Sequence, residues 1–353
     1  MNLSFARALA SSLDKVTGKQ NDMKCKGIIA IGKNDPRLVD VDVLPPGKHE
    51  VQVRFHSTLV SVGTERARVM SLPNAETPFP FAPGYCDAGI VECVGSEVTR
   101  FRPGDRVAGY AIDMGHREIG NIQEHTLVHI PDGVSFDQAA FTSLGQTAMQ
   151  GVRKCRIEMG ESVVSLGLGI VGLLALELAR VCGAIPVIGI NRSERRLELA
   201  KTCGADIVIC NNCEGWYQKL LDATDSNGSN VVIDSTGVPA AMQIACSVAA
   251  NYARVCILGC PRGTVDFNFY RDIQKKSITI LSAHAVDSVP IGKSYPNYWT
   301  YIDDANCFLK YVKRGDIRLE PMINQIVEKN DAEAAYRDLI LGHHDMLSMI
   351  IHW

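Results

Sequence analysis

Three glycines in the run Gly167-Leu168-Gly169-Ile170-Val171-Gly172 follow the β-branched segment SVVSL and precede the apolar stretch LLALELARV. A strand that turns into a helix in this way presents unpaired backbone N–H groups, here those of Ile170 and Val171, to an anionic ligand. Gly167 permits the tight turn, Gly169 lets a pyrophosphate approach the backbone, and Gly172 lets the helix lie against the sheet. The chemistry this spacing predicts is the holding of a dinucleotide.

Residues downstream refine that expectation. The next β-branched run, 186–190, ends at Asn191-Arg192-Ser193, where an NAD site usually presents a carboxylate to the ribose. Asn191 cannot repel a 2'-phosphate, and Arg192, Ser193 and Arg196 supply donors for one, so NADP(H) is favoured over NAD(H). The alternative is that the arginines are the solvated first turn of a helix and Asn191 holds an unphosphorylated ribose. Ligands of open α/β sheets sit beyond the C-terminal strand ends. This places the loops with Ser235, Thr236 and Gly237, with Gly259, and with Ser282 and His284 at the cofactor.

The elements that must position these residues are legible as runs. Segments 162–166, 186–190, 207–209, 231–234, 254–258 and 277–281 are short strands alternating with helical patterns, which describes a doubly wound parallel sheet of an α/β fold. Before them, 27–109 reads as short strands broken by turns, a β-rich domain of barrel type. Helices are expected over 138–153, 298–313 and around 331–339, with a closing strand over 346–353. The division expected is an N-terminal extension (1–25), a β-rich domain (26–150), the dinucleotide domain (151–286), and a return to the first domain (287–353).

Composition excludes some classes. Lys plus Arg total 36 against 39 for Asp plus Glu, a formal charge of −3, which gives no bulk attraction to nucleic acid or anionic lipid. No apolar run is long enough to span a bilayer. The 12 cysteines fall mostly within apolar patterns as free thiols, pointing to a reducing, cytoplasmic setting. Cys210 and Cys213 have metal or redox spacing, but no second pair or nearby histidine completes them.

The ordered set VSVGTE (60–65), PGYCDAG (83–89), VECVGSEVTRFRPGDRV (91–107) and the glycine turn resembles the medium-chain dehydrogenase/reductase superfamily, the zinc-type alcohol dehydrogenase group. The resemblance implies a GroES-like catalytic domain, a Rossmann domain, a homodimer built through the latter, and Thr147 near the nicotinamide. It also implies a catalytic zinc held by Cys, by His with a neighbouring Glu, and by a second Cys. Matching the motifs puts Val62, Tyr85 with Cys86, and Ser143 at those positions, a set that cannot hold zinc. The four-cysteine structural lobe is missing as well: 109–121 contains no cysteine and reads as a loop bearing His116, Arg117 and Glu118. No metal is expected.

Without zinc, a hydrogen-bond donor must meet the substrate oxygen. Tyr85 at the abandoned metal position, Thr64 at the proton-relay position of related alcohol dehydrogenases, and His116 are the candidates, with Glu65 orienting a partner or binding substrate hydroxyls. If Thr64, Glu65, Tyr85, Asp113, His116 and Arg117 share one wall, the substrate is small and polar, a cyclic polyol or sugar. The activity expected is interconversion of a secondary alcohol and a ketone. The alternatives are reduction of an enone or quinone, and an inactive dinucleotide-binding protein.

Overall fold

Six strands between 163 and 282, the central ones buried, form one parallel sheet in the order Ile207–Cys210, Val187–Asn191, Val163–Leu166, Ser229–Asp234, Ala249–Ile257, Thr279–Ser282. The structure, a computed structural model, describes residues 23–112, 114–284, 299–342 and 346–353. The expected extension (1–25) thus lies almost wholly outside the described residues, as do the boundary at 286 and Asp113. Strand order reverses beside Val163–Leu166, so a crevice opens there at the C-terminal strand ends. All four residues of that strand are buried. The helix after it, Ile170–Val181, is apolar on nearly every side and is sunk between sheet and neighbouring helices.

The second layer is antiparallel except at one edge. Glu50–Val60 is its hub, bonded to Cys86–Val94 on one side and to Met349–His352 on the other, with Ile119–Gln123 also pairing along its first half. Arg106–Tyr110 and Leu127–His129 continue the sheet, and Ile326–Glu328 runs parallel to Met349–His352. Val51, Val53, Phe55 and Leu59 are all buried, so this strand carries the barrel core. The chain is therefore α/β, with a β-rich domain and a doubly wound parallel-sheet domain.

Two expectations are corrected. The loop expected through 121 ends earlier, because the backbone of Ile119–Gln123 finds ladder partners on Glu50–Val60 that its own sequence does not advertise. The single helix expected over 138–153 is split. Ser135 and Gln138 form a capping box on the short helix Phe136–Ala139, and a longer helix, Thr142–Cys155, follows. The longer helix packs on Tyr301–Arg314 so closely that a Cβ on Gly145 would stand 2.4 Å from the Phe308 ring. Gln150 donates to the buried Asp304, and Arg153 lies 3.4 Å from the same carboxylate. This clamp fixes the helix that carries Thr147 into the cleft.

Candidate active site

The three glycines act by three different means. Gly167 has φ +87°, a conformation that L side chains rarely adopt. At Gly172 a Cβ would lie 1.9 Å from the Gly167 carbonyl oxygen, so only glycine lets helix and turn meet. At Gly169 an added Cβ would meet nothing nearer than Arg196 Nη1 at 3.9 Å, leaving open space over the N-terminus of Ile170–Val181. That is the cradle a pyrophosphate needs.

The cradle opens into a cavity of about 910 Å³ between the two layers. Gly167, Gly169, Ile170 and Val171 line it at one end, with Asn191, Arg192, Ser193 and Arg196 beyond them. Ser235, Thr236, Gly237 and Gly259 form a second edge, and Thr147 and His284 border it towards the β-rich domain. Gly172 stands behind the turn. Ser282 does not face the cavity: it closes the last strand, and its carbonyl accepts from Lys154 Nζ at 3.0 Å, while its neighbour Ala283 lines the cavity instead.

The loops are tied by short bonds. Ser235 Oγ donates to the Gly167 carbonyl at 2.6 Å, and Thr236 donates to Asp234 Oδ1 through both its amide (2.9 Å) and its hydroxyl (2.7 Å). Burial pushes the Asp234 carboxyl up, and the Thr236 bonds pull it partly back. Ser193 caps the helix Glu194–Thr202, and its amide donates to Asn191 Oδ1 at 3.0 Å. Arg196 spans the cleft wall, donating from Nη1 to the Leu168 carbonyl (3.1 Å) and from Nη2 to the Met346 carbonyl (3.2 Å).

At the other end of the cavity stand Ser61, Thr64, Tyr85 and Tyr110. The Tyr85 hydroxyl donates to Ser61 Oγ at 2.8 Å, with Thr64 bonded to the same phenol, and burial pushes the phenol well above its ordinary range. Tyr110 meets the Tyr85 ring edge-on at 5.5 Å. Arg68 also lines the cavity, with its guanidinium 4.5 Å from the Phe81 ring centre. The sequence marked Thr64 and Tyr85 but missed Ser61, Arg68 and Tyr110. Ser61 and Arg68 flank the GTE motif, and Tyr110 closes the strand Arg106–Tyr110, where the sequence offered a strand signal but no chemistry.

His116 and Glu65 are corrected as candidates for direct substrate contact. His116 is wholly buried, and Glu65 is 1% exposed. The two bond to each other at 2.9 Å and do not line the cavity. Glu65 Oε1 accepts the Ser61 amide at 2.7 Å, and Oε2 accepts the Tyr336 hydroxyl at 2.7 Å. They hold the start of the helix Val62–Val69, which carries Thr64, from behind. Arg117 and Asp87 are likewise away from the cavity lining, and Asp87 is buried beside Arg117 with its carboxyl pushed well up by desolvation.

A catalytic zinc does not fit the donors present. Val62 offers none, and the Ser143 hydroxyl donates to the Gly109 carbonyl at 2.9 Å. Burial pushes the Cys86 thiol well up, opposite to what a metal ligand requires. A dinucleotide does fit, because the open space at Gly169 and the free helix N-terminus match its phosphates in shape and charge.

The fold and site together define a two-domain oxidoreductase that uses a nicotinamide dinucleotide. Residues 171–302 match the zinc-binding dehydrogenase family, and 47–141 match the alcohol dehydrogenase GroES-like domain. The chain belongs to the medium-chain, zinc-type alcohol dehydrogenase superfamily, as an NAD(P)-dependent member without its usual zinc ligands. It is 27% identical over 255 residues to D-guloside 3-dehydrogenase of Escherichia coli K12, covering 72% of each chain. It is 34% identical over 202 residues to a quinone oxidoreductase of Pseudomonas aeruginosa, covering 56% of this chain and 61% of that one. A zinc-binding dehydrogenase of Sinorhizobium meliloti 1021 bound to NADP has the same fold, with a TM-score of 0.79 and 20% identity over 94% of this chain and 100% of that one.

Proposed function

We propose that the protein interconverts a secondary alcohol and a ketone on a small polar substrate of the cyclic polyol or sugar class, with Tyr85 as the proton donor and acceptor. The observation that carries this is the Tyr85–Ser61–Thr64 hydroxyl cluster in the wall of the cavity that the glycine turn also lines. The bound nicotinamide supplies or accepts a hydride at the carbon. In the reducing direction the Tyr85 phenol turns its proton from Ser61 to the oxygen that gains charge, and the phenolate is reprotonated through the Ser61 hydroxyl, which takes a proton from solvent in the cavity it lines. Burial keeps Tyr85 protonated and hence a donor. Thr147 borders the nicotinamide end and Arg68 widens the choice towards polar groups. The likeness to D-guloside 3-dehydrogenase supports a sugar-like substrate.

NADP(H) is the cofactor we favour, because Arg192 is exposed at the cavity rim with no carboxylate at Asn191 to oppose a 2'-phosphate. We place the domain boundaries near 150 and 286. We also infer a homodimer through the Rossmann sheet, supported by the edge strand Thr279–Ser282, which pairs only with Ala249–Ile257 among the described strands. Twelve free thiols favour a reducing, cytoplasmic setting.

The likeness to quinone oxidoreductase favours a second reading, in which Tyr85 meets the carbonyl of an enone and hydride goes to its β-carbon. A panel of cyclic ketones, polyols and enones, followed by NADPH and NADH absorbance, separates the two. Polyol or ketone turnover is expected, and turnover of enones alone would overturn the first reading.

A further inference from the structure

We propose that His56, Asp137 and His352 form a binding site for one divalent transition-metal ion of the zinc class, on the barrel and separate from the cleft. Their ligand atoms lie within 4.8 Å of one another. The three come from different elements: the hub strand Glu50–Val60, the short helix Phe136–Ala139 and the last strand Met349–His352. None of them lines the cavity. Two imidazoles and one carboxylate are a donor set for zinc and its neighbours, and such sites commonly leave a fourth position for water.

The surroundings are arranged as a ligand set requires. His352 Nε2 is 2.8 Å from Asp137 Oδ1, the edge at which a metal would replace a shared proton. Behind it, His352 Nδ1 faces the exposed Glu328 Oε1 at 3.5 Å, a carboxylate on the side where metal-binding histidines often have one. Ser57 Oγ donates to Asp137 Oδ1 at 2.5 Å and meets His56 Nδ1 at 2.8 Å, orienting both. The His56 ring is stacked on Phe136 at 4.7 Å and lies 5.1 Å from the His352 ring. Arg106, a cation that faces these groups, packs on Phe136 at 4.6 Å and donates to the Val134 carbonyl.

Zinc–nitrogen bonds of about 2.0 Å put ligand atoms roughly 3.3 Å apart, so atoms now up to 4.8 Å apart would have to close by about 1.5 Å on binding. The sequence pointed to no metal because these three residues are scattered along the chain and have no ligand spacing. An ion here would staple the last strand to the hub strand and to the helix at Phe136.

The test uses the full chain, stripped with chelator and dialysed against Zn²⁺ or Co²⁺, with metal content and thermal denaturation as readouts. One equivalent should bind and raise the melting temperature. His56→Gln and His352→Gln should each weaken binding by about tenfold or more and abolish that rise. A Cys210→Ser/Cys213→Ser variant should bind as the wild type does. His56 is exposed, so its variant keeps the test open should His352→Gln fail to fold. Absence of stoichiometric binding, retention of binding in His56→Gln, or its loss in the cysteine variant would overturn the proposal.

Discussion

His116 Nε2 and Glu65 Oε2 meet at 2.9 Å in the barrel wall, both shut off from solvent. The Trp353 indole donates to Thr58 Oγ1 at 2.9 Å, and Thr58 Oγ1 lies 2.8 Å from His116 Nδ1. The donors close as a chain when the ring proton sits on Nε2 and points at Glu65. This polar network sits behind the helix Val62–Val69. Glu65→Ala would orphan the Ser61 amide, His116 and Tyr336 together, and should lower stability by about 3 kcal/mol or more in urea denaturation. Tyr336→Phe removes one bond only and should cost about 1 kcal/mol. Unchanged midpoints for both variants would contradict the network.

Gly172→Ala and Gly169→Ala should fail differently. The first drives a methyl into the Gly167 carbonyl and should destabilise the fold by roughly 2 kcal/mol or more. The second meets no protein atom nearer than 3.9 Å, so its melting temperature should stay within a degree or two of wild type. Its dinucleotide affinity should fall by about tenfold or more, since the methyl occupies the approach to the pyrophosphate. Calorimetric titration of both proteins checks the contrast.

Tyr85→Phe keeps the ring and its edge-on contact with Tyr110 but loses the hydroxyl. The kcat should fall about 10²- to 10³-fold with cofactor affinity unchanged. A variant with wild-type kcat would show that the phenol only packs.

Arg192→Ala should raise KM for NADPH about tenfold and leave NADH within twofold, the loss of one charge-assisted contact to a 2'-phosphate. Equal effects on the two cofactors would remove the case for NADPH preference.

Glu177, on the helix after the glycine turn, is 3% exposed, and burial pushes its carboxyl up from 4.5 to about 8, although the Arg318 amide lies 3.3 Å from both oxygens. The folded protein holds this proton more tightly than the unfolded chain. Its contribution is therefore complete below pH 4.5 and is lost as pH rises towards 8. Glu177→Gln should match wild type at pH 4 and exceed it at pH 8 by on the order of 1–2 kcal/mol in denaturant titrations. Parallel stability curves would refute the assignment.

The Rossmann half of the molecule was readable because its determinants are local. Six β-branched runs separated by helical patterns specify a parallel sheet, and the glycine triplet places the phosphate cradle within it. The catalytic half was less so. Thr64 and Tyr85 stand in motifs and reach the cavity, whereas Glu65, one position from Thr64, turns the other way because the helix Val62–Val69 rotates successive side chains by about 100°. His116 carries the chemistry of an acid, but Gly84, with φ +103° and no side chain, gives its ring a berth inside the wall. Arg196 was marked for a phosphate, yet two carbonyls from distant segments engage its guanidinium. Contacts of that range leave no periodic trace in the chain.

The hub strand Glu50–Val60 is bonded to Met349–His352, and Thr58 and Trp353 join across 295 positions, whereas every strand of the dinucleotide sheet lies between 163 and 282. On the ribosome, the nascent dinucleotide unit can therefore close while the barrel still waits for its last strand. Cofactor capture can precede assembly of the wall that bears Tyr85, and the barrel's unsatisfied hub edge is exposed to aggregation until Met349–His352 emerges.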